Sequence, residues 1–371
     1  MNRRQSMTVW LVVAALALIA TLLAFDQLTV ARAQAETPTP ARPKRTPRPG
    51  VEMRTEKIYS PALEGNLLGD PAERTVYVLL PPGYATSDTR YPVVYVMPAG
   101  DGEPFSDALG FKTAMQLLLR RGEIEEMIAV VPDGTNKLGG SQFRSSPTIG
   151  DYETYITRDL VEYMDTHYRT LPVRDSRALS GCCSGGVASM RLGLKYPNVY
   201  SVVAASDGAY DESLEVAPDD VRGVKSVTQL PEKISDLHLG DVEMNGLVAW
   251  YIGAAAGCAP DPDSPPFYCE MPIRIVDGRG EFVPEVIAKI VEHDAAHEAR
   301  RYVQQPVRLR GIFIRHSEYD TARLPSARAF EQLLTDLGIE HEYLEVNAGH
   351  CSSGWEHASL KFIADRLVFE D

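Results

Sequence analysis

The stretch R-A-L-S-G-C-C-S-G-G-V at residues 177–187 constrains the fold more than any other part of the chain. It predicts a short strand, a tight glycine turn and a helix that begins directly after the turn. Such a turn holds a reactive side chain at its apex when it follows a G-x-nucleophile-x-G pattern. Here the pattern is Gly181-x-Cys183-x-Gly185, and the glycines leave room for the neighbouring strand and helix. The helix N-terminus would lower the pKa of the Cys183 thiol and offer N–H groups to an oxyanion.

The composition is that of an ordinary globular domain. The chain has 371 residues, of which 44% are hydrophobic and 24% charged, enough to bury a full core. Its net charge is −14, and the body of the chain has no basic run, so we do not expect nucleic-acid binding. No Cys/His set has zinc-site spacing, and there is no glycine-lysine phosphate loop. We therefore expect neither a metal nor a cofactor.

The first 50 residues are not expected to belong to the folded domain. In residues 1–35, two arginines precede an uncharged apolar run and small-residue cleavage sites, which is typical of a secretory signal. The apolar run is also long enough to be an uncleaved membrane anchor. In both readings the arginines stay cytoplasmic, so the rest of the chain is secreted or membrane-tethered. Residues 36–50 predict an exposed Pro-rich linker, which leaves residues 51–371 as the domain.

Strands and helices alternate along most of that domain. This alternation predicts an α/β fold, with a mostly parallel central sheet and helices on both faces. Residues 210–305 fit the rhythm poorly, and we expect an insertion or cap there, beside the active site and before the acid loop. The predicted strands are 73–80, 91–97, 127–131, the strand that leads into the glycine turn, 199–205, 309–315 and 342–346, and the predicted helices are 105–121, 151–168, the helix that opens at Gly185-Gly186, and 326–337.

Several blocks from about Lys57 to the C-terminus resemble the esterase family of the α/β-hydrolase fold. This family includes S-formylglutathione hydrolases, feruloyl esterases and the secreted mycolyltransferases. The blocks are V-Y-V-L-L-P-P-G-Y at 76–84, Y-P-V-V-Y at 91–95, I-A-V-V-P-D at 128–133, T-H-Y-R-T-L-P at 166–172, R-A-L-S-G at 177–181 and Y-P at 196–197. The resemblance implies an α/β-hydrolase fold and hydrolysis of a small-molecule acyl ester.

The resemblance also implies a catalytic triad in the chain order nucleophile, acid, histidine. His350 follows the last predicted strand, where the family keeps its histidine, and Asp320 lies in the loop that carries the family's acid. Glu318 in the same loop is the alternative acid. Cys183 stands where the family has serine, which would make the intermediate a thioester.

The resemblance assigns the oxyanion hole to two backbone N–H groups. One belongs to Ser184, one step past the apex of the turn. The second is expected from Gly100, because the family's His-Gly pair is replaced by Pro98-Ala99 here. Each donor of this kind contributes about 10²–10³ in rate.

Five cysteines in an exported chain predict at least one disulfide. Cys258 and Cys269 flank a Pro/Asp-rich loop and are the predicted pair. Cys351 follows His350 directly, so it must lie near Cys182 and Cys183 if His350 reaches the nucleophile. A disulfide there would either be structural or block Cys183.

Three functions remain open from the sequence. The first is a secreted or membrane-tethered esterase-like hydrolase with a Cys183–His350–Asp320 triad. The second is an acyltransferase of the same fold. The third is a non-catalytic envelope protein that keeps the hydrolase fold for binding, because the family's serine and His-Gly pair are both replaced.

Overall fold

An eight-stranded sheet forms the centre of the computed structural model, with the strands in the order β1-β2-β4-β3-β5-β6-β7-β8. β1 pairs antiparallel with β2, β2 pairs antiparallel with β4, and all other neighbouring strands are parallel. The predicted mostly parallel sheet is therefore confirmed. The strands are β1 Glu52–Tyr59, β2 Glu73–Leu80, β3 Val93–Met97, β4 Ile128–Pro132, β5 Arg177–Cys182, β6 Val202–Ser206, β7 Gly311–Ser317 and β8 Glu342–Val346.

The structure describes residues 50–100, 102–214, 246–277, 279–352 and 354–370. The predicted signal or anchor at 1–35 lies outside these residues, as does the linker apart from Gly50. Within the described ranges, no helix has both the length and the apolar character needed to cross a bilayer.

Helices cover both faces of the sheet, as predicted. Alternate side chains of β3 enter opposite cores: Tyr95 and Met97 belong to one cluster, and Val94 and Val96 to the other. Helices α1 and α8 pack on the second cluster and the remaining helices on the first. The helices are α1 Phe105–Arg121, α2 Leu160–His167, α3 Ser184–Lys195, α4 Gly246–Cys258, α5 Pro284–Val291, α6 Ala295–Tyr302, α7 Leu324–Asp336 and α8 Trp355–Ala364.

Two regions interrupt the regular alternation of strands and helices. The single helix predicted at 151–168 begins as a short helix at Tyr152–Thr154, where the Asp151 carboxylate accepts the Thr154 N–H at 3.0 Å. It then passes through a π-helical segment at Tyr155–Asp159 before α2. Between the neighbouring strands β6 and β7 the chain makes a long excursion, the expected insertion. Its described part holds α4, α5, α6 and a hairpin of Ile273–Val276 with Arg279–Phe282.

The turn after β5 depends on glycines because α3 lies almost against the sheet. A Cβ atom on Gly185 would lie 2.1 Å from the Met97 carbonyl oxygen of β3. One on Gly181 would lie 2.4 Å from the Gly185 carbonyl oxygen. Both clashes are with backbone, which cannot turn away as a side chain can. The predicted reason for these glycines is therefore confirmed.

We expect Gly185→Ala to lower the free energy of unfolding by about 3 kcal/mol or more, because the new methyl group must push β3 and α3 apart. Urea denaturation followed by circular dichroism measures this loss. Gly349→Ala is the control, since a Cβ there meets no atom within 4 Å. Equal losses in the two variants would contradict the steric explanation.

Candidate active site

Cys183 lies at the apex between β5 and α3, in a backbone conformation that L-residues rarely adopt. Its φ is 56° and its ψ is −128°. Such strain is typical of residues that a functional site holds in place. The Cys183 N–H donates to the Ser206 carbonyl at 3.0 Å, and the Cys183 carbonyl accepts the Val187 N–H at 3.0 Å. Both bonds hold the apex rigidly, and the partly buried thiol is free.

The His350 imidazole contacts Asp320 through one ring nitrogen. Its Nδ1 lies 2.6 Å from Asp320 Oδ2, which leaves Nε2 for other partners. The two residues meet because their loops follow the neighbouring parallel strands β7 and β8. Backbone hydrogen bonds from Glu318 to Val346 and from Tyr319 to Ala348 join these loops.

Asp320 is the buried carboxylate of this loop, and Glu318 is not. Asp320 also receives Arg323 Nη1 at 3.3 Å and faces the buried His316 Nε2 at 3.8 Å. Glu318 is exposed, and its carboxylate accepts from Asn347 Nδ2 at 3.4 Å. The structure thus brings His350 to Asp320 and leaves the alternative acid at the surface.

The Cys183 thiol and the His350 imidazole shift each other's pKa in opposite directions. Burial raises the pKa of the Cys183 thiol, but the hydrogen bond with His350, the charges of His350 and Arg323 and the Ser184 N–H outweigh it. The net pKa of the thiol therefore lies below its ordinary value. The hydrogen bonds with Asp320 and then Cys183 raise the pKa of His350 to about 10, against the effect of burial. Both shifts act in the direction of a thiolate–imidazolium pair.

The charge of Asp320 matches this pair. Burial raises the pKa of the Asp320 carboxyl, but its hydrogen bond with His350 and the nearby charges of His350, Arg323 and His316 bring it below its ordinary value. Burial holds the pKa of His316 below its usual range, although Asp207 and Asp320 act against it. An ionised Asp320 beside a neutral His316 therefore supports the imidazolium form of His350.

Ser184 and Gly100 both lie beside the apex. The Ser184 N–H contacts the Cys183 sulfur, and the Ser184 hydroxyl donates to the Gly100 carbonyl at 3.3 Å. Gly100 has a φ of +61°. The preceding Ala99 N–H is committed to the Asp107 carboxylate at 3.1 Å. The loop after β3 is thus in contact with the turn that carries Cys183.

A disulfide joins Cys182 to Cys351. Each of these cysteines is adjacent in sequence to a candidate catalytic residue, Cys182 to Cys183 and Cys351 to His350. The Cys351 sulfur lies 3.7 Å from His350 Nε2. Of the two roles predicted for a disulfide here, the structure favours the structural one, because Cys183 is not a partner.

The predicted disulfide between Cys258 and Cys269 is wrong, since both are free thiols. Arg144 Nη1 lies 2.8 Å from the Cys258 sulfur, so this cysteine belongs to a buried polar cluster. Cys269 is buried with its sulfur 4.0 Å from the Ile252 carbonyl oxygen, and a backbone bridge between Pro260 and Cys269 closes its loop. Spacing along the sequence could not reveal that the two side chains point to different partners.

Asp207 is a residue of this site that we did not identify from the sequence. It follows β6 directly and is fully buried. Its carboxylate accepts from the Ser317 N–H at 2.6 Å, the Cys351 N–H at 2.9 Å and Arg315 Nη1 at 3.2 Å. The available signal was its position at the carboxyl end of a buried strand beside the strand that carries Cys183.

Two groups among the described residues have donors close enough together for a metal ion, but neither fits one. The first is Cys182, Asp207 and Cys351, whose sulfurs are joined in the disulfide. The second is Asp207, His316 and Asp320. Its carboxylates are already engaged by Arg315, backbone N–H groups and His350, and a cation there would face the Arg315 charge.

Several solved structures share the fold of this chain. A ferulic acid esterase superposes with a TM-score of 0.59 at 17% identity, covering 87% of this chain and 100% of the other. The S-formylglutathione hydrolase of Staphylococcus aureus gives 0.55 at 12% identity, covering 84% and 97%. The ferulic acid esterase of Anaeromyces mucronatus, in complex with ferulic acid, gives 0.51 at 18% identity, covering 85% and 90%. The architecture is thus that of an α/β-hydrolase.

The sequence identifies the family to which the chain belongs. A family model described as "Putative esterase" matches residues 71–364, and the chain belongs to this family of esterase-like hydrolases. Esterase Rv1288 of Mycobacterium tuberculosis is 28% identical over 138 residues, which are 36% of this chain and 28% of that protein. The uncharacterized protein YbbA of Bacillus subtilis is 23% identical over 163 residues, 40% of this chain and 62% of that protein. The match thus spans about a quarter of the curated esterase.

We expect iodoacetamide to alkylate Cys183 well below the pH at which ordinary thiols react, because the thiolate is the reactive form and its pKa is lowered. His350→Ala should move the midpoint of this pH profile upward, since burial then acts without its main opposing partner. We expect a loss of rate at pH 7 of at least about tenfold. Peptide mass spectrometry separates Cys183 from Cys258 and Cys269, whose thiol pKa values burial raises. A midpoint unchanged by the substitution would disprove the ion pair.

We also expect peptide mapping of the unreduced protein to find Cys182 linked to Cys351. Cys183, Cys258 and Cys269 should each take up a thiol reagent after denaturation without reductant. Digestion between Cys182 and Cys183 is not possible in practice, so fragmentation spectra must assign the bond. A bond from Cys351 to Cys183 would contradict the arrangement described above.

Proposed function

We propose that this protein hydrolyses a carboxylic ester through Cys183, His350 and Asp320. The observation that carries the proposal is the His350 Nδ1–Asp320 Oδ2 contact of 2.6 Å, with the other side of the imidazole engaged by a strained, free cysteine. The family of esterase-like hydrolases supports the same reaction. The buried position of Asp320 supports its assignment as the acid in preference to Glu318.

In the proposed reaction, the Cys183 thiolate attacks the carbonyl carbon of the ester. The N–H groups of Ser184 and Gly100 bind the oxyanion of the tetrahedral intermediate. As the intermediate collapses, the His350 imidazolium gives its proton to the departing alkoxide, and a thioester remains on Cys183. A water molecule then attacks the thioester, and His350 takes a proton from it. The second tetrahedral intermediate releases the carboxylic acid and restores the thiolate.

Asp320 would keep the proton of His350 on Nδ1 and hold the ring in one orientation, so that Nε2 serves the sulfur and the leaving group. The Cys182–Cys351 disulfide supports export into an oxidising compartment, the context in which structural disulfides persist. We therefore propose that the enzyme works outside the cytoplasm, either secreted or tethered by its N-terminal segment. An acyltransferase would follow the same first step, with an alcohol taking the place of water.

We expect the wild-type protein to hydrolyse p-nitrophenyl acetate and butyrate. Cys183→Ala should abolish this activity, a loss of at least about 10³-fold, because no nucleophile remains. Asp320→Asn should reduce kcat by about 10²–10⁴-fold, because the amide favours the wrong imidazole tautomer. The absorbance of the released p-nitrophenolate measures the activity of both variants.

Glu318→Gln provides the matched control, since it makes the same chemical change two residues away on an exposed side chain. It should keep the activity of the wild type. Hydrolysis that survives in Cys183→Ala would exclude Cys183 as the nucleophile. A reactive Cys183 thiol combined with no turnover of any ester would favour the non-catalytic binding protein.

A further inference from the structure

Cys351, the residue after His350, is held to the sheet at two separate atoms. Its side chain forms the disulfide with Cys182. Its backbone N–H donates to Asp207 Oδ2 at 2.9 Å. The direction in which His350 projects depends on the backbone of its neighbour, so both bonds bear on the position of the imidazole.

The two anchors come from adjacent strands. Cys182 is the last residue of β5, and Asp207 is the first residue after β6. The strands are paired in register, with Ser206 opposite Cys182. Cys183, whose N–H bonds to the Ser206 carbonyl, lies between them in the chain. The anchors therefore tie the loop of His350 to the same strand ends that set the position of the candidate nucleophile.

Hydrogen bonds on several sides hold Asp207 in this position. Its backbone N–H donates to the Arg315 carbonyl at 2.9 Å, and its carboxylate also receives the Ser317 N–H and the Arg315 guanidinium. Its φ of 48° turns the chain away from β6. Arg315 is itself buried and offsets the carboxylate charge, while the buried His316 ring faces the same region. A carboxylate so surrounded holds its orientation.

We infer that Asp207 is a positioning residue for His350 and that it acts in parallel with the Cys182–Cys351 disulfide. Each anchor by itself keeps the loop close to its working position, and the loss of both releases it. The inference rests on the proposed function insofar as His350 is the base of the reaction. Asp207 acts through the loop of His350 and not by contact with the substrate.

Asparagine at position 207 tests the carboxylate with little change in shape. One of its oxygens becomes an NH₂ group, which would face the Ser317 N–H or the Cys351 N–H and Arg315. A donor facing a donor breaks the hydrogen bond on that side. The loop of His350 would then depend on the disulfide alone.

The experiment is a double-mutant cycle of Asp207→Asn with the removal of the disulfide by Cys182→Ala/Cys351→Ala. Two readouts are measured in all four proteins: kcat and KM for p-nitrophenyl butyrate, and the rate of Cys183 alkylation at pH 6.5. With the disulfide present, we expect Asp207→Asn to lower kcat about tenfold or less at unchanged KM. Without it, we expect a loss of about 100-fold, the scale of an ångström-sized misplacement. Asp207→Asn should also lower the alkylation rate less when the disulfide is present than when it is absent, because His350 stabilises the thiolate.

Asp294→Asn is the matched control. Asp294 is also fully buried and accepts two backbone N–H groups, from His297 at 2.7 Å and Glu212 at 3.1 Å, in the insertion. It should lower the melting temperature without changing the alkylation rate. The inference is overturned if Asp294→Asn reproduces the effects of Asp207→Asn. It is equally overturned if Asp207→Asn has the same effect with and without the disulfide.

Two measures keep the test decisive. If the variants that lack Cys182 and Cys351 do not fold, reduction of the disulfide in the folded wild type and in Asp207→Asn supplies the same four states, with circular dichroism as the check on folding. If the wild type hydrolyses no ester, the proposed function fails, but alkylation of Cys183 still reports how His350 is placed. The two hypotheses can therefore fail separately.

Discussion

The close approach of α3 to the sheet is the constraint on which the candidate site depends. Glycine at 181 and 185 lets the helix begin in contact with β3, and no other residue fits without moving backbone. The turn between strand and helix then has room only for a strained apex, which forces φ of Cys183 to 56°. This strain lifts the thiol out of the strand and brings it to the N-terminus of α3. Packing of the core thus holds a conformation that the local sequence would not choose by itself.

Opposed electrostatic effects then decide the state of the thiol. Burial alone would keep it protonated, since a charged sulfur loses its hydration there. His350 outweighs the effect of burial and lowers the pKa of the thiol, because Asp320 on its other nitrogen stabilises the imidazolium, and Arg323 adds a positive charge nearby. Cys183, His350 and Asp320 therefore form one coupled unit. A change at Asp320 is felt at the sulfur, although the two residues are separated by the imidazole ring.

Alternation along β5 explains how one cysteine of a vicinal pair is oxidised while the other stays free. Cys182 is still in the strand and points into the core between the sheet and helices α1 and α8, against which Cys351 also packs. Cys183 is already in the turn, on the side of His350. Cys182 therefore takes Cys351 as its partner. The resulting bond ties the loop of His350 to the strand that leads into Cys183.

Much of the molecule could be predicted from the sequence because its signals are local. The buried apolar runs of β3 and β4 and the glycine turn can each be recognised within a few residues, and the family resemblance pointed to Asp320 and His350 through the strands that precede them. Cysteine pairing, the choice between Asp320 and Glu318, and the contacts of Asp207 are different. They depend on strand order and register, which bring together residues more than 100 positions apart, such as Asp207 and Cys351. The sequence by itself determined which side chains were available for the site. Only the tertiary structure decided which of them meet, because contact at the carboxyl ends of parallel strands is set by the packing of the whole sheet.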